Sequence, residues 1–409
     1  MTTEDLARDV NPRHRGVFLK NLADFQTELA RVQAGFVPAL DVWRQRKELP
    51  EYVFRSMRRV QDLRGRGREL GLSFAEMHVA GAVVGRELLD QLCAAPSSAA
   101  FVRTALIDLP RALGRAIDAY LGDNDTIYDL PSRALLEADR DELARVAAWG
   151  EAALRELSVT PTDESFIQDL SRRSSTLADE LRQATARPAV PSRQARRIGR
   201  LPLPDAVLPA GFRHLEFGPE PAANGGAAYT DRARYRATNF LQEVQATDSC
   251  ASLLFDAPDM PWDFYLDLSR HMWDEARHSM FGEAKLAEFG STAAEAGLST
   301  KAYAMRQTLA PHDRYAALTT QEADAFPGKH NGLKDAVAHQ DRVSAMAWSY
   351  DIADETQHVR FGAKWLPVLI EKIGEPRSTE QVKTDACTWR ESVLAAVYRP
   401  AATALQSQR

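Results

Sequence analysis

Apolar residues recur at intervals of three and four through residues 16–35, 73–94, 98–121, 131–158 and 165–186. They do so again through 231–254, 261–290, 311–326, 333–373 and 378–397. That period matches a helical turn, and two-residue alternation is scarce, so the pattern predicts an all-α protein. Between Arg187 and Thr230 the pattern stops. Pro188, Pro191, Pro202, Pro204, Pro209, Pro219 and Pro221, with the Asn224-Gly225-Gly226 turn, exclude continuous helix and predict a long linker laid over a bundle. The resulting division is a helical domain over 1–186, a linker over 187–230, a four-helix bundle over 231–375, and a C-terminal helix and tail over 376–409. Phe326-Pro327-Gly328 is expected to end or distort the third bundle helix.

Composition narrows the classes of function more than it identifies one. The 409 residues are 44% hydrophobic and 26% charged, with a formal charge of −6. That balance offers no basic surface for nucleic acid or anionic lipid. The clusters Arg64, Arg66, Arg68 and Arg193, Arg196, Arg197, Arg200 are short and read as solvated face or linker. No apolar run approaches 18 residues, and the polar, acidic segment after Met1 is not expected to be a signal peptide. The three cysteines, Cys93, Cys250 and Cys387, are too widely spaced for a disulfide framework or a cluster site, which fits a reducing cytoplasm. Gly65-x-Gly67 lies in an Arg-rich helical stretch and follows no strand, so no nucleotide-binding loop is expected.

The chemistry concentrates in the second half. Glu243 is followed after 32 positions by Glu275-Ala-Arg-His278, and Glu322 after 33 by Glu355-Thr-Gln-His358. A Glu and a His three apart lie on one helix face about a turn apart, so each motif can offer a carboxylate and an imidazole to one ion. With a Glu from each preceding helix, four carboxylates and two imidazoles converge on two metals. A single Glu-x-x-His would carry little weight, but here both are preceded by Asp and followed, four after the His, by Gly.

Asp274 and Asp354 point sideways, and each is assigned to accept the outer N–H of the opposite histidine, an ordinary solvated charge being the alternative. Gly282 and Gly362 sit a turn past each His, where a missing side chain lets helices approach. Four residues before each motif Glu stand His271 and Asp351, both on the ligand face. His271 is open to three readings: a third imidazole ligand, a proton-transfer group beside the ligands, or a core histidine. Thr247, Leu268, Phe326 and Trp348, a turn or two from ligands, are candidate pocket walls. Gly150-Glu-Ala-Ala-Leu154 also resembles Gly282-Glu-Ala-Lys-Leu286. Superposing the glycines puts Leu143 and Val146 where Glu275 and His278 stand, which describes a metal-free helix pair in the first half or a chance likeness of Ala-rich helices.

On these residues, about 230–375 resembles the ferritin-like di-iron carboxylate superfamily. Asp274-Glu-Ala-Arg-His278 is similar to the signature of its bacterial multicomponent monooxygenases. Asp354-Glu-Thr-Gln-His-Val-Arg-Phe-Gly-Ala-Lys-Trp365 is similar to an uncharacterised bacterial ferritin-like family. The resemblance implies Glu243, Glu275, His278, Glu322, Glu355 and His358 as ligands; the first 190 residues and His271 depart from it. Such a donor set suits Fe(II) or Mn(II), so two iron ions or a Mn/Fe pair are expected, with O₂ as co-substrate. The expected function is a di-iron oxidase or oxygenase that hydroxylates, desaturates or N-oxygenates a small organic substrate. With no flavin, nicotinamide or iron–sulfur motif, it would draw electrons from a separate ferredoxin or reductase. A monomer or homodimer is expected. The competing readings are iron oxidation and storage or peroxide detoxification, and a non-catalytic protein with a structural metal site.

Overall fold

The structure is a computed structural model that describes residues 11–78, 84–122, 127–183, 201–216, 221 and 226–398. Residues 79–83 and 184–186 of the expected helices lie outside these. So do Pro188, Pro191, Pro219, Asn224-Gly225 and Arg193, Arg196, Arg197 and Arg200. The fold is all-α: among the described residues there is no strand, only an isolated bridge between His214 and Leu298. No described helix is long and apolar enough to cross a membrane. The chain forms two compact units, which do not divide at the linker alone. The first comprises Met1–Phe36, Glu51–Pro202 and Pro261–Leu266; the second comprises Val37–Pro50, Leu203–Met260 and Asp267–Arg409.

The first unit is built on α1 (Pro12–Phe36), α2 (Trp43–Glu69, from Glu51 onward), α3 (Ser98–Arg103 running through a π turn at Thr104–Asp108 into Leu109–Gly122), α4 (Leu130–Leu154) and α5 (Pro161–Ser174). Stacked rings join α1 to α3: Phe36 on Phe101 at 3.8 Å and Phe18 on Tyr120 at 4.6 Å. The π turn frees a carbonyl, Ala105 O, which accepts Gln33 Nε2 at 3.0 Å. Gly150 is pressed onto the same turn, where a Cβ would stand 2.8 Å from Leu106 O. Leu143 and Val146 are buried apolar side chains of α4.

The second unit is built on α6 (Tyr229–Leu241), α7 (Val244–Asp256), α8 (Trp262–Glu288, from Asp267 onward), α9 (Pro311–Ala338), α10 (Arg342–Ile373) and α11 (Thr379–Tyr398). Every residue of α7 is buried, so its polar groups need internal partners. Arg46 Nε donates to Asp248 at 3.2 Å, and Arg314 Nη1 to Asp256 at 3.2 Å and to Ser252 at 2.8 Å. Two glycines set the helix spacing. A Cβ on Gly282 of α8 would stand 2.5 Å from Leu241 N of α6, and one on Gly362 of α10 2.7 Å from Thr319 Cβ of α9. The Pro-rich segment lies along this unit through Val207 N to Pro38 O, Ala210 N to Asp41 O and Leu215 N to Leu298 O, each 2.8 Å.

Several helix boundaries correct the periodicity. Trp43–Glu69 is helical although its Arg-rich sequence shows little apolar recurrence, and the 73–94 stretch is interrupted at Gly85, whose φ is +73°. The 231–254 stretch breaks at Gln242-Glu243, where the Gln242 side chain accepts Ser299 N at 2.9 Å and donates to Gly297 O at 3.1 Å. Phe326-Pro327-Gly328 does not end the third bundle helix. α9 runs through Pro327 to Ala338, because a proline removes one donor while Lys329 and Gly332 beyond it are anchored to α10. The break falls instead at 339–341, where Asp341 accepts Ser344 N at 3.0 Å and begins α10.

Candidate metal centre

Helical periodicity sets one stripe of each long helix into the bundle. On α8 the stripe carries His271, Asp274, Glu275 and His278, on α10 Asp351, Glu355 and His358, and α9 adds Glu322; all are buried. The donors gather in two groups. His271, Glu275, Glu322 and His358 form one, and Glu275, His278 and Glu355 the other, with the donor atoms of each group within 4.8 Å of one another. Glu275 belongs to both: its Oε1 is 3.1 Å from His358 Nδ1 and 3.4 Å from His271 Nε2, while its Oε2 is 3.5 Å from His278 Nδ1.

These atoms approach without pairing. Both Glu275 oxygens, Oε2 of Glu322 and of Glu355, and Nδ1 of His278 and of His358 are buried with no hydrogen bond. Buried, unsatisfied carboxylates cost several kcal/mol unless a cation balances them. Carboxylate oxygens and imidazole nitrogens converging in this way could hold a metal ion.

The outer ring nitrogens face the opposite helix. His278 Nε2 is 3.2 Å from Asp354 Oδ2, and His358 Nε2 is 3.4 Å from Asp274 Oδ2. Arg277 bonds both aspartates, Asp274 Oδ1 at 2.9 Å, and Arg270 Nε adds Asp274 at 2.8 Å. Burial alone would raise the Asp274 carboxyl, but His358 and Arg270 hold it below its ordinary range. For His278 burial favours the neutral ring, yet Asp351, Asp354 and Glu275 push its pKa up to about 10.

His271 and Asp351 both reach the cluster. His271 Nε2 bonds Glu322 Oε1 at 2.8 Å, its ring stacks on His358 with centroids 3.8 Å apart, and its field acts on the buried Cys250. Asp351 Oδ1 lies 3.4 Å from His278 Nδ1. Glu243, at the α6/α7 break, is in neither of these two groups but lies in the field of the same cluster: burial, then the charge of Glu275, pushes its pKa up to about 8, with Lys329 opposing.

Lys329 joins the cluster from outside the Glu-x-x-His motifs. Its ammonium donates at 2.8 Å to Asp351 Oδ1, Asp351 Oδ2 and Glu355 Oε1. Burial would lower its pKa, but Asp351, Glu355 and Glu243 raise it well above the ordinary lysine value. Its spacing of seven from Glu322, two turns on the same face, was the available signal. Of the candidate walls, Thr247 and Leu268 are fully buried, Trp348 packs on Phe240 at 4.4 Å and over Gly332, and Phe326 is half-buried beside His330. A mainly apolar surface cavity of about 340 Å³ lies against Arg277, Phe281, Met346 and Tyr350, and Phe281 is 5.5 Å from the His278 ring.

The chain is thus an all-helical protein with a buried histidine–carboxylate cluster able to hold metal. Over residues 226–403 it matches a family described as "Protein of unknown function (DUF455)", a span that contains every residue of both donor groups. No curated protein and no solved structure shows a match to the chain.

Proposed function

We propose that the protein is a ferritin-like, non-haem di-iron oxidase or oxygenase acting on a small organic substrate. The observation supporting this reading is the place of Glu275 in both donor groups, as a carboxylate bridging two ions requires. Two reduced irons held there would supply O₂ with two electrons at one place. The protein's own part is to orient and to exclude water. Asp354 and Asp274 fix which nitrogen of His278 and of His358 faces inward, Arg277 holds both aspartates, and α6 to α10 keep the cluster buried. For a monooxygenation, one oxygen atom enters the substrate and the other leaves as water, consuming two protons and two electrons from an external ferredoxin or reductase.

The test is O₂ uptake by anaerobically Fe(II)-loaded protein, followed with an oxygen electrode and stopped-flow absorption. Rapid iron-dependent uptake, lost in Glu275→Ala, is expected. Full metal occupancy with no uptake, even with reductant and mediator, would overturn the oxygenase reading in favour of a structural site. Uptake that stops at ferric iron, in a protein assembled as a large shell, would favour iron storage.

A further inference from the structure

The two donor groups are unequal, and the difference traces to one position in the sequence. Four residues before each motif Glu, α8 places His271 and α10 places Asp351. His271 joins the first donor group, whose four donors come from α8, α9 and α10. Asp351 instead faces Lys329. A lysine ammonium has three hydrogens, and here each is met by a carboxylate oxygen at 2.8 Å: Asp351 Oδ1, Asp351 Oδ2 and Glu355 Oε1.

Glu355 is therefore divided. Its Oε1 accepts from Lys329, while its Oε2 has no hydrogen bond and lies 3.4 Å from His358 Nδ1. The second group has three donors and a buried cation on one of them; Lys329 is 7% exposed, so water screens it little. A divalent ion entering beside Glu275, His278 and Glu355 meets a like charge and competes for Glu355. Asp351, 3.4 Å from His278 Nδ1, is placed to become a fourth donor once the ammonium leaves it.

We propose that Lys329 is a built-in cation that makes the centre load in two unequal steps. The position of His271, Glu275, Glu322 and His358 fills first. The position of Glu275, His278 and Glu355 accepts an ion only as Lys329 withdraws. This rests on the metal-binding part of the proposed function and not on its oxygen chemistry.

Titrating the full chain anaerobically with Mn(II), by calorimetry and electron paramagnetic resonance, tests it. The first equivalent should give the signal of an isolated ion. The second should bind at least about tenfold more weakly and diminish that signal through coupling. K329M should narrow the ratio of the two affinities by about tenfold or more, and K329R should preserve it. His271→Ala should remove the tight step and His278→Ala the weak one, a pair of results independent of how the Lys329 variants fold. Two equal steps in the unaltered protein, an unchanged ratio in K329M, or exchanged effects of the two histidine variants would overturn the proposal while leaving a two-metal centre in place. A protein that binds no Mn(II) or Fe(II) would remove both readings.

Discussion

His278 Nε2 on α8 lies 3.2 Å from Asp354 Oδ2 on α10, and the converse pair, His358 and Asp274, lies at 3.4 Å. Each long helix thus supplies both an inward imidazole and the carboxylate that orients its neighbour's. The pairing leaves Nδ1 of both rings facing Glu275, and it explains why Asp and Glu are adjacent in both motifs: one carboxylate points to the centre and the other across to the facing helix.

Removing that acceptor should weaken the centre without dismantling the bundle. Asp354→Asn is expected to lower affinity for metal about 10- to 100-fold, with helicity unchanged. Competition against a chromophoric chelator measures the first and circular dichroism the second. An unaltered affinity would mean that the pairing does not orient His278.

Because Glu275 lies in both donor groups while Glu322 and Glu355 lie in one each, single substitutions should separate the positions. After Fe(II) reconstitution, Glu275→Ala should retain close to no metal, and Glu322→Ala and Glu355→Ala about one ion per chain each. Elemental analysis decides this. Two ions retained by Glu275→Ala would refute its bridging role.

The glycine spacers make a stability prediction. A methyl at 282 would run into the backbone of α6 at Leu241, and one at 362 into the side chain of Thr319. Overpacking of this kind costs about 1–3 kcal/mol, against about 1 kcal/mol of helix propensity gained over glycine. Gly282→Ala should therefore lower the thermal midpoint, and more than Gly362→Ala, because backbone yields less than a side chain. A raised midpoint in Gly282→Ala would show that the helices have room to spare.

In the first unit, Asp139 is buried and accepts Gln26 Nε2 at 2.6 Å; burial, opposed by Gln26 and Arg59, pushes its pKa up to about 7 from an ordinary 3.8. Between those values the folded chain holds a proton that the unfolded chain has released, so this group's contribution to stability declines as pH rises from about 4 to 7. Asp139→Asn should remove the decline and exceed the unaltered protein at pH 8 by as much as about 4 kcal/mol. Urea midpoints at both ends of the window test it, and parallel curves would show that Asp139 is charged when folded.

Much of this protein is a consequence of local pattern and could be read without coordinates. The 3.6-residue recurrence specifies an all-helical chain, and the paired Glu-x-x-His motifs, each with its Asp and later Gly, specify which face of each helix turns inward. Those features depend on residues three, four or seven apart on one helix, where backbone geometry alone determines who shares a face. Local pattern misleads where a distant group overrides a local preference. Pro327 is a helix breaker in isolation, and ending α9 there hid Lys329, two turns beyond Glu322 on the same face. Packing against α10 carries the helix through and brings that ammonium to Asp351 and Glu355. The turn at Gln242-Glu243, which divides the expected 231–254 helix, is likewise absent from the local pattern; beside it the Gln242 side chain bonds Ser299 and Gly297, more than fifty residues away. His271 and Asp351 occupy equivalent places in the two motifs, yet one joins a donor group and the other faces a lysine, because the side chains opposite them on α9 differ. Sequence determines which residues a helix presents; which of them meet depends on partners far along the chain, and only tertiary packing brings those together.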